Sequence, residues 1–365
     1  MITKEAVLTA LSEVQEPDLG KDLVTLNMIS DIEIDGKNVS FTVMLTTPAC
    51  PLKDMIEKAC VNAIRILVDK EAVVKVKMDS NVTNNRKDNK SMLPGVKNII
   101  VVASGKGGVG KSTVAVNLAI GLAQEGASVG LLDADIYGPS VPMMLGMRDE
   151  RPKMIYMGEN GMIVPLERYG IKAMSIGLLI DEKQAVVWRG PQASAALRQF
   201  ITDVYWQELD YLVIDMPPGT GDIALTLVQT VPITGAVIVS TPQAVAAADA
   251  KKAIMMFKQP AINVPILGIV ENMAYFTPQE LPDNKYYIFG RGGARQMAEQ
   301  FELPFLGEIP IVQGIREGGD KGVPAVVDDE PVAREAFITL AKKVAQNIAI
   351  RNANLEPTKV VEMMN

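Results

Sequence analysis

The stretch Gly105–Thr113 constrains the fold of this chain more than any other part of its sequence. It reads G-K-G-G-V-G-K-S-T, follows the apolar run 99–103 and leads into the apolar segment 114–120. In the spacing G-x-x-x-x-G-K-S, glycines let successive backbone N–H groups curl around an anion, and the positive end of a helix adds to them. The pattern predicts a buried strand, a phosphate-binding loop and a helix. A purely structural glycine turn is the alternative.

Each residue of this loop has a predicted part in binding ATP. Lys111 is predicted to reach the β- and γ-phosphates, and the Ser112 hydroxyl to hold Mg²⁺. The predicted nucleotide-binding residues of the loop are Gly105, Lys106, Gly107, Gly108, Val109, Gly110, Lys111, Ser112 and Thr113.

Composition excludes several classes of function. The 365 residues contain no histidine, which removes histidine-based general-base catalysis and the usual zinc sites. The net charge of −7 disfavours non-specific binding to nucleic acid. No apolar run is long enough to cross a bilayer, and the N-terminus has no signal-peptide pattern. We therefore expect a cytoplasmic protein that binds neither nucleic acid nor membrane.

Hydrophobic patterning predicts two domains joined by a linker. Residues 1–80 are predicted to form a small α/β domain, with a helix after Thr3, a hairpin around Asp35-Gly36, a helix through 55–67 and a strand at 73–78. The polar stretch 81–98 is predicted to be a flexible linker. Residues 99–350 are predicted to form the second domain, followed by a tail at 351–365.

The second domain alternates strands and helices, which predicts an α/β fold with a mostly parallel sheet covered by helices on both faces. Ligands in such sheets bind beyond the carboxyl ends of the strands. The last helix is predicted over 331–349. The predicted strands are 99–104, 129–133, 211–215, 236–240 and 266–270.

Acidic residues end two of these strands. Asp133 and Asp135 close the strand at 129–133, and Asp215 closes the strand at 211–215. An aspartate after a buried strand in a phosphate-loop protein typically supports the Mg²⁺ shell, and Asp215 is the best candidate. A capping or turn-forming aspartate is the alternative at each position.

The chain has only two cysteines, Cys50 and Cys60, so no disulfide framework is expected. Cys50 stands between two prolines before a predicted helix, whose N-terminus is expected to lower the thiol pKa and favour the metal-binding thiolate. Cys60 is expected to be a buried structural thiol.

The second lysine of the loop, Lys106, makes the sequence G-K-G-G-x-G-K-S similar to the deviant phosphate loop of MinD/ParA-type ATPases. By this resemblance, Lys106 would reach the nucleotide of the partner subunit in a homodimer that ATP closes and hydrolysis releases. Asp135 would orient the attacking water, so Lys106, Lys111 and Asp135 are the predicted catalytic residues. Asp215 would support Mg²⁺, and Asn272 would contact adenine.

Further motifs resemble the Mrp/ApbC family over roughly residues 97–330. Those proteins are ATP-dependent iron–sulfur cluster carriers, and the first 80 residues resemble the iron–sulfur assembly domain often fused ahead of them, with Cys50 in its cysteine turn. The resemblance implies transfer of clusters to apoproteins or assembly factors. The motifs are Asp133–Ser140, Trp188–Pro191, Asp215–Asp222, Glu271–Met273 and Phe305–Pro310.

One departure from that family concerns the cluster site. Members of the family usually carry Cys-x-x-Cys after the Glu-Asn-Met segment, but residues 274–285 here contain no cysteine. Thiolates are the ordinary ligands of iron–sulfur clusters, and the softness of iron–sulfur chemistry disfavours ligation by Glu280 or Asp283. Cys50, with Cys60 as the only other thiol, is therefore the predicted site of a labile cluster.

Three hypotheses follow for function. The first is a Mg²⁺-dependent ATPase that carries iron–sulfur clusters. The second is a nucleotide-gated adaptor or scaffold of the same family that holds no stable cluster. The third is a partition or positioning ATPase acting on DNA or membrane, which the acidic net charge and the non-basic tail disfavour.

Overall fold

The computed structural model describes residues 2–86, 93–157, 160–180, 190–278, 280–281 and 284–358. The chain divides into two compact units. Unit 1 consists of Met1–Thr83 with Ala345–Leu355, and unit 2 of Asn84–Val344 with Glu356–Asn365. Among the described residues, no helix combines the length and the apolarity needed to span a bilayer.

Unit 1 has the predicted order of a helix, a hairpin, a helix and a strand. The Thr3 side chain caps its first helix by accepting from the Ala6 N–H, and that helix ends at Leu11. Its core packs the inward face of the second helix, with Ile56, Cys60 and Ile64, against a three-stranded sheet. The elements are α1 (Lys4–Leu11), β1 (Gln15–Glu16), β2 (Lys21–Asp22), β3 (Ile29–Asp35), β4 (Asn38–Leu45), α2 (Lys53–Leu67) and β5 (Val73–Ser80).

Unit 2 alternates strands and helices along most of its length. Its elements are β6 (Val96–Ala103), α3 (Lys111–Gln124), β7 (Val129–Asp133), α4 (Val141–Met144), β8 (Met154–Met157), β9 (Asn160–Ile163), β10 (Leu166–Arg168), β11 (Ile171–Ser175), a 3₁₀ turn (Ile176–Leu178), α5 (Gly190–Thr202), β12 (Leu209–Asp215), α6 (Asp222–Thr230), β13 (Gly235–Ser240), α7 (Ala244–Lys258), β14 (Ile266–Phe276), α8 (Gly293–Gln300), β15 (Phe305–Ile311), α9 (Gln313–Lys321) and α10 (Pro331–Asn354), whose C-terminal end belongs to unit 1.

The central sheet of unit 2 has eight strands in the order β10-β11-β7-β12-β6-β13-β14-β15. Every neighbouring pair is parallel except β10 and β11. The central strands are mostly apolar and almost completely buried, as expected for a sheet covered on both faces. The predicted mostly parallel α/β fold is confirmed, and β6, β7 and β12 end at the same edge of the sheet.

Two predicted boundaries differ from the structure. Strand β6 begins at Val96 and Leu93 is buried in the core, so the segment predicted as a linker over 81–98 is ordered into unit 2 from Leu93 onward. Residues 87–92 of that segment lie outside the described residues. Helix α10 continues to Asn354, past the predicted start of the tail at 351, because its C-terminal end is held in unit 1 by a bond from the Asn352 amide to the Thr83 carbonyl. Residues 359–365 lie outside the described part.

Strands β8 to β11 were not predicted from the sequence. They have three to five residues each, which is too short for an alternating apolar pattern to be recognised. Strand β11 matters for the site, because it pairs with β7 and brings Ser175 opposite Asp133.

Candidate functional site

The loop between β6 and α3 has the backbone shape that its glycines predict. Gly108 and Gly110 have φ angles of 79° and 78°, in the left-handed region that glycine enters without steric cost. The Ser104 hydroxyl donates to the Lys106 carbonyl at 3.0 Å and stabilises the first turn of the loop. The loop ends at the N-terminus of α3, where the backbone N–H groups of the first turn have no partner within the helix. This is the geometry of an anion-binding loop.

Gly105 fixes the loop against helix α7. A methyl group at Gly105 would overlap the backbone of Asp249 and Ala250, so the loop and the helix touch through their main chains. The loop after β12 is joined to the same point, because the Gly219 N–H donates to the Ser104 carbonyl at 2.9 Å. The phosphate-binding loop therefore rests on two neighbouring segments of unit 2.

A buried ion pair lies at the base of the loop. The Lys111 Nζ is 2.5 Å from Asp215 Oδ1, and the two side chains are 6% and 0% exposed. Burial raises the pKa of Asp215, and the ammonium of Lys111 lowers it in opposition.

Asp215 has the oxygen chemistry that a Mg²⁺ shell needs. Its Oδ2 is buried and has no hydrogen-bond partner among the residues that the structure describes. An unmatched buried carboxylate oxygen is costly unless a cation or its water reaches it. The Ser112 hydroxyl lies beside it, 3.3 Å from the Lys111 Nζ. The donor set of Ser112 and Asp215 thus fits the hard cation predicted from the sequence.

Asp133 organises the carboxyl end of β7. Its carboxylate accepts from the Ser175 hydroxyl at 3.0 Å and from the N–H groups of Asp135 and Val141 at 3.1 and 3.3 Å. Burial raises the pKa of Asp133, and the nearby carboxylate of Asp215 raises it further. The bonds to Asp135 and Val141 orient the loop that carries Asp135. Ser175 gave no sequence signal, because its strand was not predicted.

Asp135 lies in the same electrostatic environment as Lys111 and Asp215. Its side chain is half-buried, and burial raises its pKa, while the charge of Lys111 lowers it. A carboxylate in this position can accept a hydrogen bond from a polar group over the loop. Lys106 is half-exposed on the loop itself.

Asn272 contacts the loop from strand β14. Its Nδ2 donates to the Val109 carbonyl at 2.8 Å, and its side chain is 6% exposed. The neighbouring Glu271 is 1% exposed and accepts from the N–H groups of Gly292 and Ala294 at 3.1 and 2.7 Å, so it caps α8. The sequence motif containing both residues did not indicate that Glu271 caps a helix while Asn272 contacts the loop.

Cys50 belongs to unit 1 and lies three residues before α2. The expected low thiol pKa is wrong: burial raises the pKa of Cys50, although the backbone N–H of Leu52 lowers it in opposition. The carboxylates of Glu16 and Asp18 raise it further. Partial burial between the hydrophobic core and two acidic groups outweighs the helix N-terminus, which begins only at Lys53.

Cys60 is fully buried, as predicted, and burial raises its thiol pKa to about 12. Glu280 is exposed, whereas Asp283 and the segment Trp188-Arg189 lie outside the described residues. Over the described ranges, no three cysteine, aspartate or glutamate side chains are grouped to hold a metal ion. A cluster bound at Cys50 would need ligands from elsewhere.

Two family profiles match the chain, one for each unit. A profile described as ParA-type NUBPL iron-transfer P-loop NTPase matches residues 95–347. A profile described as iron–sulfur cluster assembly protein matches residues 4–78.

Relatives match over nearly the whole length. An iron–sulfur cluster carrier protein of Synechocystis is 50% identical over 96% of this chain and 99% of its own. One of Escherichia coli is 42% identical over 94% of this chain and 90% of its own. Among solved structures, a nucleotide-binding protein of Archaeoglobus fulgidus in complex with ADP is 42% identical, with a TM-score of 0.57 over 67% of this chain and 94% of its own.

Proposed function

Because the chain belongs to the family of NUBPL-type iron-transfer P-loop NTPases, with an iron–sulfur cluster assembly domain ahead of it, we propose that it is an ATP-hydrolysing iron–sulfur cluster carrier. In this proposal ATP binds the loop of unit 2 and the cluster is cargo, passed from this chain to apoproteins or assembly factors. Its cytoplasmic location stays a prediction.

The buried pair of Lys111 and Asp215 is the observation that carries the ATPase part. A lysine this deeply buried at the base of a phosphate-binding loop supplies a fixed positive charge for the phosphates. The phosphates would compete with Asp215 for the ammonium. Mg²⁺ would be held by Ser112 and Asp215, and when bound it neutralises charge that develops on the phosphates.

Asp135 has the position and the chemistry to orient water. Its backbone is fixed by Asp133, and its half-buried carboxylate is available as an acceptor near Lys111. With no histidine in the chain, a carboxylate is the natural group to hold the nucleophile. The proposed reaction is attack of water on the terminal phosphorus, which breaks its bond to the bridging oxygen and releases phosphate and ADP.

Dimer closure is the third part of the proposal. Lys106 is half-exposed, has no ion pair among the residues that the structure describes, and stands beside Gly107 and Gly108, which are exposed. An accessible lysine at the rim of the loop can serve a nucleotide held by a second copy of the chain. The adenine contact that the sequence predicts for Asn272 stays a prediction.

The cargo part rests on Cys50, the partly exposed thiol of the assembly domain. The test is anaerobic reconstitution with iron and sulfide, followed by visible absorption and transfer to an apo form of a [4Fe–4S] enzyme. Cys50→Ser is expected to lose most of the bound iron and of the transfer, whereas the matched Cys60→Ala variant keeps both. Equal uptake and transfer by Cys50→Ser and wild type would overturn the assignment of the cargo site.

A nucleotide-gated scaffold without a cluster is the second candidate. The absence of cysteine from residues 95–347 and the raised thiol pKa of Cys50 favour it. Wild-type protein that hydrolyses ATP but takes up no iron in the same experiment would support the scaffold.

A further inference from the structure

We propose that Asn272 positions the phosphate-binding loop itself, so that its contribution to nucleotide affinity does not depend on the base. The proposal rests on the proposed nucleotide site and assigns Asn272 a role other than contact with adenine. It begins from the bond that the Asn272 side chain makes: its Nδ2 donates to the Val109 carbonyl at 2.8 Å.

This bond sets the orientation of one peptide plane of the loop. The peptide between Val109 and Gly110 is planar and trans, so its carbonyl and its N–H point in opposite directions. Because Asn272 holds the Val109 carbonyl on its own side, the Gly110 N–H is directed away from Asn272. The backbone N–H groups of such a loop are its anion-binding groups, so this bond selects the productive orientation of one of them.

Gly110 provides the space for this contact. A Cβ atom at this position would collide with the Asn272 Nδ2, and the φ angle of 78° is itself unfavourable for any other residue. The glycine before Lys111 is therefore required by the Asn272 amide as well as by the turn. The two residues are complementary parts of one contact.

The strand end that carries Asn272 is itself held in place. Glu271 is 1% exposed and bonds the N–H groups of Gly292 and Ala294 at the start of α8. Neighbouring side chains on a strand point to opposite sides, so Glu271 anchors β14 to α8 on one side while Asn272 holds the loop on the other. A rigid mount of this kind is what a positioning residue needs.

The test compares three ligands: ATP, GTP and inorganic tripolyphosphate, which has no base. Asn272→Leu keeps the side-chain shape but removes the donor, without adding a charge that would itself repel the phosphates. We expect it to weaken the binding of all three ligands by a common factor of about tenfold, the size of one lost buried hydrogen bond. Asn272→Ser shortens the side chain, so that its hydroxyl does not reach the Val109 carbonyl, and it should show the same common loss.

Ile269→Val is the matched control, because it removes one methyl group from the buried interior of the same strand without touching the loop. It should bind all three ligands like wild type, and melting curves verify that each variant is folded. If the Asn272 variants lose affinity for ATP but bind tripolyphosphate like wild type, Asn272 reads the base and the proposal is wrong. Wild-type protein that binds neither ATP nor tripolyphosphate would overturn the nucleotide site, and this role of Asn272 with it.

Discussion

At the scale of single residues, the site depends on polar side chains buried under the loop. Lys111, Asp215 and Asp133 are all almost completely buried, and each is bonded to another polar group of the site. Burial makes these interactions strong, because little water screens them. The proposed chemistry therefore depends on a few side chains whose removal has separable effects.

Alanine substitutions of Lys111 and Asp135 are predicted to affect ATP binding and ATP hydrolysis differently. Lys111→Ala removes the fixed charge for the phosphates and should lower ATP hydrolysis at least about 100-fold, with weaker ATP binding. Asp135→Ala should bind ATP like wild type but not turn it over, because only the water-orienting group is lost. Steady-state phosphate release and equilibrium binding of ATP measure the two effects.

Lys342→Ala is the control for that pair of variants, since its lysine forms a partly exposed ion pair with Glu125 at 3.4 Å. It should hydrolyse ATP at the wild-type rate. Unchanged turnover in Asp135→Ala would refute the role given to Asp135.

The two thiols are predicted to react very differently with an alkylating reagent. Only the thiolate reacts, so the raised pKa of Cys50 makes its alkylation at pH 7 slower than that of a free thiol. The alkylation rate should still be rising at pH values above the pKa of an ordinary thiol. Cys60 is buried and its pKa is about 12, so it should react only after unfolding. Mass spectrometry of iodoacetamide-treated native protein between pH 7 and 10 measures both.

A Cys50 thiol that is alkylated fastest near pH 7 and gains nothing at higher pH would contradict this prediction. The same result would restore the expectation of a thiolate stabilised by the helix N-terminus.

At the scale of elements, the site is made where β6, β7 and β12 end at one edge of the sheet. The loop after β6 also packs on α7, and Asn272 joins it from β14. The phosphate-binding loop is thus held by main-chain contact on one side and by a side-chain bond on another. Its shape is determined by neighbouring elements as well as by its own glycines.

Substitutions at Gly105 and Gly107 distinguish the contact with helix α7 from the loop's own conformation. Gly105→Ala would place a methyl group in the backbone of α7, and backbone cannot move aside as a flexible side chain can, so we expect a loss of about 1–3 kcal/mol in the free energy of unfolding. Gly107→Ala has no neighbouring atom within 4 Å of the added Cβ and should be close to wild type. Chemical unfolding without nucleotide measures both variants. Equal stabilities would show that the loop does not rest on α7.

At the scale of the whole molecule, the chain combines two units whose proposed tasks differ. Unit 2 contains the proposed ATP site, and unit 1 contains Cys50. If ATP closes a homodimer, as proposed, binding and hydrolysis of ATP in unit 2 would control when the cluster carried by unit 1 is delivered.

ATP-dependent dimerisation is the prediction at this scale. In the slowly hydrolysing variant Asp135→Ala, ATP should shift the mass in solution from monomer towards dimer, and ADP should not. Adding Lys106→Ala should abolish the shift while leaving ATP binding measurable, since Lys106 is proposed to serve the partner's nucleotide. Light scattering during size-exclusion chromatography reports the mass. A dimer that forms equally with ADP, or without Lys106, would contradict the switch.

The sequence by itself determined the fold class and the residues of the loop. The loop pattern and the apolar strands around it are local, and local patterns of glycine and apolar residues directly restrict backbone shape and burial. The family resemblance drawn from the same motifs is confirmed by the profiles over 4–78 and 95–347. The roles proposed for Lys106, Asp135, Asp215 and Cys50 stay predictions.

Only the tertiary structure decided how distant residues act on one another. Ser175 meets Asp133 because an unpredicted strand pairs with β7, and Asn272 meets Val109 across 163 residues of sequence. The pKa of Cys50 is raised because burial, which a sequence does not measure, outweighs a nearby helix end. The conformation of the loop Gly105–Thr113 could be predicted from its own residues, but the hydrogen bonds that hold the loop depend on which strands lie side by side.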